Sequence, residues 1–128
     1  MAGPAVWQGL VCWYGSGRSD LPALAALAVR DPSFGHARSV GLLLDVEDDP
    51  QGAYRLAEEA LAAFGATTPP VHGLLAGSPC KLGAFLAPDG KTPGSIEHLC
   101  HQAFDPGVGG IDPSHPVFEP LRNFLHGL

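Results

Sequence analysis

With 128 residues, 45% of them hydrophobic and 16% charged, the chain has the length and apolar content of one globular domain, which excludes a wholly disordered polymer. Its formal charge of −6, with only 7 Lys and Arg, opposes broad non-specific binding to nucleic acid, whose affinity comes mainly from phosphate neutralisation. No apolar run is long enough to span a bilayer, no basic segment precedes a hydrophobic one at the amino end, and Cys12, Cys80 and Cys100 form no CxxC pair. The expectation is a soluble cytoplasmic protein with buried thiols, no disulfide framework and no membrane partner.

Gly9-Leu10-Val11-Cys12-Trp13-Tyr14 reads as a first buried strand, apolar and aromatic between glycines. The turn Gly15-Ser16-Gly17-Arg18-Ser19 follows. Gly15, Gly17 and Arg18 are candidate anion-binding residues, since the loop presents backbone N–H groups and a guanidinium at the amino end of a helix. The loop lacks the spacing of a Walker loop or a dinucleotide fingerprint, and its plain reading is a strand-to-helix turn. Helix one starts with Ser19 or Asp20 as cap and stops before Asp31-Pro32, with Leu21, Leu24, Ala25 and Ala28 on one face.

Residues 39–50 are the stretch around which the chain is organised. Val40 to Leu44 is a continuous apolar run, the pattern of a parallel strand covered on both faces. It ends in Asp45, Glu47, Asp48 and Asp49, and Asp49-Pro50 is a helix start with Asp as cap and Pro at the first helical position. The acids therefore stand at the carboxyl end of a strand, where ligands bind in open α/β sheets. In extended geometry Asp45 and Glu47 can point to the same side, and such hard-oxygen groups suit Mg²⁺ or Mn²⁺. Asp48 and Asp49 have an alternative role at a helix amino end, through capping and the macrodipole. A carboxylate at Asp45, ending a buried strand, carries a desolvation cost and needs a partner.

The second helix, residues 50–64, has an apolar stripe of Ala53, Ala57, Ala60, Leu61 and Phe64, with Gly65 as left-handed cap. Residues 71–77 and 82–87 read as a third and a fourth strand, short and glycine-containing, one or both at a sheet edge. His72 reads as a satisfied core or edge histidine. Ser95 caps a helix running to Ala103, with Glu97 in its first turn, a position that the dipole alone favours. His98 and His101, three apart, could face one site and with Cys100 or Cys80 would suggest Zn²⁺, but no second ligand pair stands at a recognised spacing. Phe118, Leu121, Phe124 and Leu125 recur at helical spacing, so a closing helix packs on the domain or forms an oligomer contact.

An apolar strand ending in Asp-x-Asp, here Asp45-Val46-Glu47, resembles the third-strand motif of the TOPRIM fold of primases, topoisomerases and overcoming-lysogeny-type nucleases, where it holds Mg²⁺. The chain is similar more closely to a small TOPRIM-related family of unknown function. Three blocks carry that likeness: residues 13–21 (Trp13-Tyr14-Gly15-Ser16-Gly17-Arg18-Ser19-Asp20-Leu21), residues 40–49, and Leu86-Ala87-Pro88-Asp89 followed by residues 94–100. The resemblance implies Asp45 and Glu47 as metal ligands, with Glu97 and Asp48 as additional ones. It also implies a Glu at the end of the first strand as general acid or base, and no Asp or Glu precedes Asp20 in this chain. An Asp after a strand occurs too in haloacid-dehalogenase-like phosphatases, whose second Asp and later strand Lys are matched poorly by Glu47 and by Lys81 or Lys91.

The expected fold is thus one α/β domain over residues 1–128, a parallel or mixed sheet of about four strands with helices on both faces, TOPRIM-like and Rossmann-like. Two functions follow as expectations. One is a Mg²⁺- or Mn²⁺-binding domain acting on nucleic acid or phosphate esters. The other is a catalytically silent protein-interaction domain, a homodimer, in which the acids serve as caps and loop anchors.

Overall fold

Two apolar runs form the parallel pair on which the rest of the fold is stacked. In chain order the described residues, 5–7, 10–15 and 17–128 of this computed structural model, form β1 (Ala5–Trp7), β2 (Leu10–Cys12), α1 (Leu21–Ala28), β3 (Ser39–Asp45), α2 (Pro50–Ala63), β4 (Leu75–Ala76), β5 (Lys81–Ala87), α3 (Ile96–Gln102), β6 (Phe104–Asp105), β7 (Gly110–Ile111) and α4 (Glu119–His126). β3 and β5 run parallel, in register from Ser39 opposite Lys81 to Asp45 opposite Ala87, and β4 adds to the other side of β5 antiparallel. The main sheet is therefore mixed, in the order β3-β5-β4. β1 with β2 and β6 with β7 are separate antiparallel hairpins.

Helices cover both faces, as expected of an α/β fold. Leu42, Leu44, Val46, Ala84 and Leu86 meet α1 and α2 through Ala25, Ala53, Ala57, Ala60 and Leu61. Alanines at the contact let the helix approach the sheet closely, and Ala53, Ala57 and Ala60 are fully buried. On the opposite face Phe85 and Ala87 meet Leu99 of α3 and Phe124 of α4, flanked by Leu75, Ile96, Val117, Phe118 and Leu121. Gly41 belongs to that face, and a Cβ there would meet Leu128 and Phe124 at 2.7 and 3.0 Å. Each of the largest fully buried side chains, Phe85, Leu86 and Val46, contributes about 1.5–3 kcal/mol by leaving water.

α2 follows its sequence signals closely. Asp49 accepts a hydrogen bond from Gly52 N at 3.0 Å, Pro50 opens the helix, and Gly65 closes it at φ 98°. α4 buries Phe124, as its spacing predicts, and leaves Leu125 47% exposed.

Four expectations need correction. β3 is an edge strand whose second face is covered only in part: Leu42 and Leu44 are buried and Gly41 meets Leu128 and Phe124, while Leu43 is 49% exposed, because cover on that face centres on β5. The stretch expected as a first buried strand is the short β2, which pairs with β1 outside the main sheet and is largely exposed. Leu10 is 45% exposed and Cys12 is exposed, so the buried-thiol expectation fails there; Cys80 and Cys100 are partly buried, and Gly9 lies outside the described residues. Residues 71–77 yield only the two-residue β4, because Gly73 at φ 77° turns the chain and leaves Val71 and Leu74 exposed. Where a longer strand would have supplied a carbonyl, the His72 ring supplies a nitrogen acceptor instead: Leu86 N donates to His72 Nδ1 at 3.0 Å. His72 is thus a satisfied edge histidine, its ring centroid 4.5 Å from that of Phe85. The fourth expected strand, β5, is the centre of the sheet and its most buried element. No helix is long and apolar enough to cross a membrane among the described residues.

Candidate functional site

The acids leave the carboxyl end of β3 in different directions because the strand geometry stops at Val46. Val46 N continues the ladder to Ala87 O at 2.8 Å, and its side chain is fully buried. Glu47 then adopts φ 58°, a left-handed conformation that L side chains rarely take. Its backbone is fixed there by a two-way bridge to Gly94, with Glu47 N to Gly94 O at 2.6 Å and Gly94 N to Glu47 O at 2.7 Å. Gly94 is at φ 146°, and a Cβ on it would lie 2.9 Å from the His98 ring, so a side chain there would be strained twice over. The loop after β3 and the loop after β5 are thereby clamped to each other.

Asp45 answers its desolvation cost within the chain. Its Oδ1 accepts from Ile96 N at 2.8 Å, so an acid at a strand end serves the first turn of α3, 51 residues away. Ser95 occupies the cap position of that helix, with its backbone N donating to His98 Nδ1 at 3.1 Å. Glu97, Asp48 and Asp49 are exposed, Asp49 as the cap of α2.

Arg18 is the cation of this edge. It lies in the Arg18–Asp20 turn before α1, and its Nη1 donates to Val46 O at 2.7 Å and to Asp49 O at 3.3 Å. Its Nε stands 3.4 Å from Glu47 Oε2, with the Arg18 side chain 16% and the Glu47 side chain 55% exposed. Of the three candidate anion residues, Arg18 therefore faces the chain's own carbonyls and carboxylate. Gly15 packs beside Asp20, where a Cβ would meet the Asp20 Cβ at 3.2 Å, and Gly17 O accepts from Asp20 N at 3.1 Å.

The expectation that Asp45 and Glu47 point to one side is overturned by the left-handed turn at Glu47. One acid faces α3 and the other faces Arg18. Among the described residues, no three of His, Cys, Asp and Glu gather so as to hold a metal. Asp45, Glu47, Asp48 and Glu97 form no such group, and the Arg18 guanidinium stands 3.4 Å from Glu47 Oε2. This donor set fits Mg²⁺ or Mn²⁺ poorly. The zinc arrangement does not form either: His98 turns back onto Ser95, while Cys100 and His101 line an open cavity of about 370 Å³ with Phe104 and Ile111.

Sequence reasoning singled out Arg18 for an external anion and missed its internal partners, 28 and 31 residues away. It named Gly94 only within a motif block and missed its bridge to Glu47, for which the position between a turn-rich loop and a helix cap was the available signal. Asp89, in the same loop, accepts from Lys91 N, Thr92 N and Thr92 Oγ1 at 2.9, 2.7 and 2.8 Å. These bonds, led by the one from Thr92 N, hold its carboxyl below the usual carboxylate range.

Comparison with known protein families, with curated proteins and with solved structures finds no match.

Proposed function

We propose that this chain is a non-catalytic α/β interaction domain that works by binding protein, a second copy of itself included, and that its acid motif is retained as structure. The observation that carries this reading is the use of the motif inside the chain. Asp45 serves α3, Glu47 pairs with Arg18, and Arg18 also serves the carbonyls of Val46 and Asp49. The edge strand β3 supplies the other half of the argument, with Leu43 49% exposed on it. Free thiols at Cys12, Cys80 and Cys100 suit a reducing cytoplasmic setting.

A second reading is a Mg²⁺- or Mn²⁺-binding, TOPRIM-related domain acting on nucleic acid or phosphate esters. The observation favouring it is Glu47 itself, an acid at a backbone conformation that glycine would occupy without strain. Calorimetric titration of Mg²⁺ and Mn²⁺ into the wild-type chain and into an Asp45→Asn, Glu47→Gln variant separates the two. The interaction reading expects the same absence of binding in both. Binding in the wild type that disappears in the variant would overturn it and establish the metal reading.

A further inference from the structure

We infer that the outer edge of β3 is a self-association surface, which pairs antiparallel with β3 of a second copy to join the two main sheets into one. This deepens the interaction reading and rests on it. In a parallel ladder, alternate residues of a strand bond to a given neighbour. The bonds Lys81 N to Arg38 O and Val46 N to Ala87 O, at 3.0 and 2.8 Å, fix the phase, so Val40, Leu42 and Leu44 face β5. Ser39, Gly41, Leu43 and Asp45 therefore turn their N–H and C=O groups outward, at the end of the order β3-β5-β4. Such an edge is a template for another strand, and proteins that avoid pairing blunt it with Pro, Lys or a bulge. From Ser39 to Asp45 this strand has no Pro and no basic residue, and it runs in unbroken register against β5.

Charge selects the occupant and its direction. The strand is preceded by exposed Arg38, with exposed Lys81 beside Ser39, and ends in Asp45, after which come Glu47, paired with Arg18, and exposed Asp48 and Asp49. Antiparallel pairing of two copies sets each basic end against the partner's acidic end, whereas parallel pairing stacks like on like. A twofold axis beside Leu42 is the register that fits. It leaves Leu42 opposite itself as a non-hydrogen-bonded pair and makes Gly41 and Leu43 exchange bonds across the axis. Leu43, 49% exposed, then stands opposite the partner's Gly41, whose face is filled by that copy's own Leu128 and Phe124, and packs against the edge of Leu128, which is 37% exposed. A one-residue slip would place the buried-face side chains on the wrong side.

The test is sedimentation equilibrium on the full chain with amide hydrogen exchange, for wild type, Leu43→Lys, Arg38→Glu and, as a control at a different surface, Phe104→Ser. The wild type is expected to dimerise, and Gly41 and Leu43 amides to become protected as concentration rises. Leu43→Lys and Arg38→Glu should each raise the dimer Kd by about tenfold or more while Phe104→Ser leaves it unchanged. Arg38→Glu should regain part of the loss in high salt. Circular dichroism confirms that each variant folds. A dimer lost only in Phe104→Ser would overturn the edge and leave the interaction reading standing. A monomer whose Gly41 and Leu43 amides are protected at every concentration would mean that the chain covers its own edge, and would overturn the inference. Failure of the interaction reading itself would appear separately, as metal binding lost in the Asp45→Asn, Glu47→Gln variant.

Discussion

Replacing Arg18 by alanine should destabilise the fold by about 2–3 kcal/mol, and the partition of that loss is readable from its contacts. The bond from Nη1 to Val46 O, at 2.7 Å beside a fully buried side chain, has a charged donor and is worth about 1.5–3 kcal/mol net. The longer contact to Asp49 O at 3.3 Å adds little, and the pairing with a half-exposed Glu47 adds about 0–1 kcal/mol. Most of the effect thus belongs to the carbonyls and not to the carboxylate. Urea unfolding of Arg18→Ala, Arg18→Lys and Glu47→Gln measures this. Arg18→Ala should lose the full amount, Arg18→Lys roughly half because an ammonium cannot span two carbonyls and a carboxylate at once, and Glu47→Gln less than about 0.5 kcal/mol. A loss for Glu47→Gln equal to that for Arg18→Ala, or one abolished by high salt, would refute the reasoning and make the ion pair the dominant contact.

Asp45→Ala leaves Ile96 N without its partner and should cost about 1–3 kcal/mol, whereas Asp45→Asn retains an acceptor and should cost less; urea midpoints of the two variants decide this. Gly94→Ala, which brings a Cβ to 2.9 Å from the His98 ring at a backbone φ of 146°, should cost about 2 kcal/mol or more, and a wild-type melting midpoint would contradict the clamp between the two loops. Burial holds the His72 imidazole below its ordinary pKa of 6.5, against the charge of Asp89, which pulls it up. The unfolded chain therefore takes up the proton first, so stability should be level above 6.5 and fall as pH drops through the window just beneath it. Urea unfolding at a series of pH values should show that slope in the wild type and a flatter profile in His72→Gln; identical profiles would count against His72 as the titrating group.

What the sequence makes legible is local. Asp49-Pro50, the alanine stripe and Gly65 specify α2 almost residue by residue, because cap, helix period and stop signal lie within one segment. The apolar runs 40–44 and 82–87 become strands for the same reason. Neighbour identity is not written in that way. Val40 to Leu44 has the composition of a covered strand, yet Leu43 stands half open because β5 took the centre of the sheet. Residues 71–77 look like a strand by composition, and a single imidazole at His72 takes over the hydrogen bond that such a strand would have made. Arg18 and Asp45 find partners 28 and 51 residues away, at separations where periodicity carries no information.

The residue on which the two functional readings divide is Glu47. In an extended chain, residues two apart share a side, and Asp45 with Glu47 would make a ligand pair. The left-handed turn at φ 58°, held by Gly94, sends Glu47 to Arg18 while Asp45 reaches Ile96. A metal bound by both acids would have to compete with the guanidinium and with the helix start at once. The Arg18→Ala variant is therefore informative beyond its stability. If the acids are ligands, removing the competing cation should tighten Mg²⁺ and Mn²⁺ binding relative to wild type, since a positive charge 3.4 Å from Glu47 is lost. If the acids are structural, the same variant should bind no metal and only unfold more easily. Calorimetry on the wild type and on Arg18→Ala, at a temperature where the variant remains folded, decides between them: metal binding by the wild type that tightens in the variant would overturn the interaction reading.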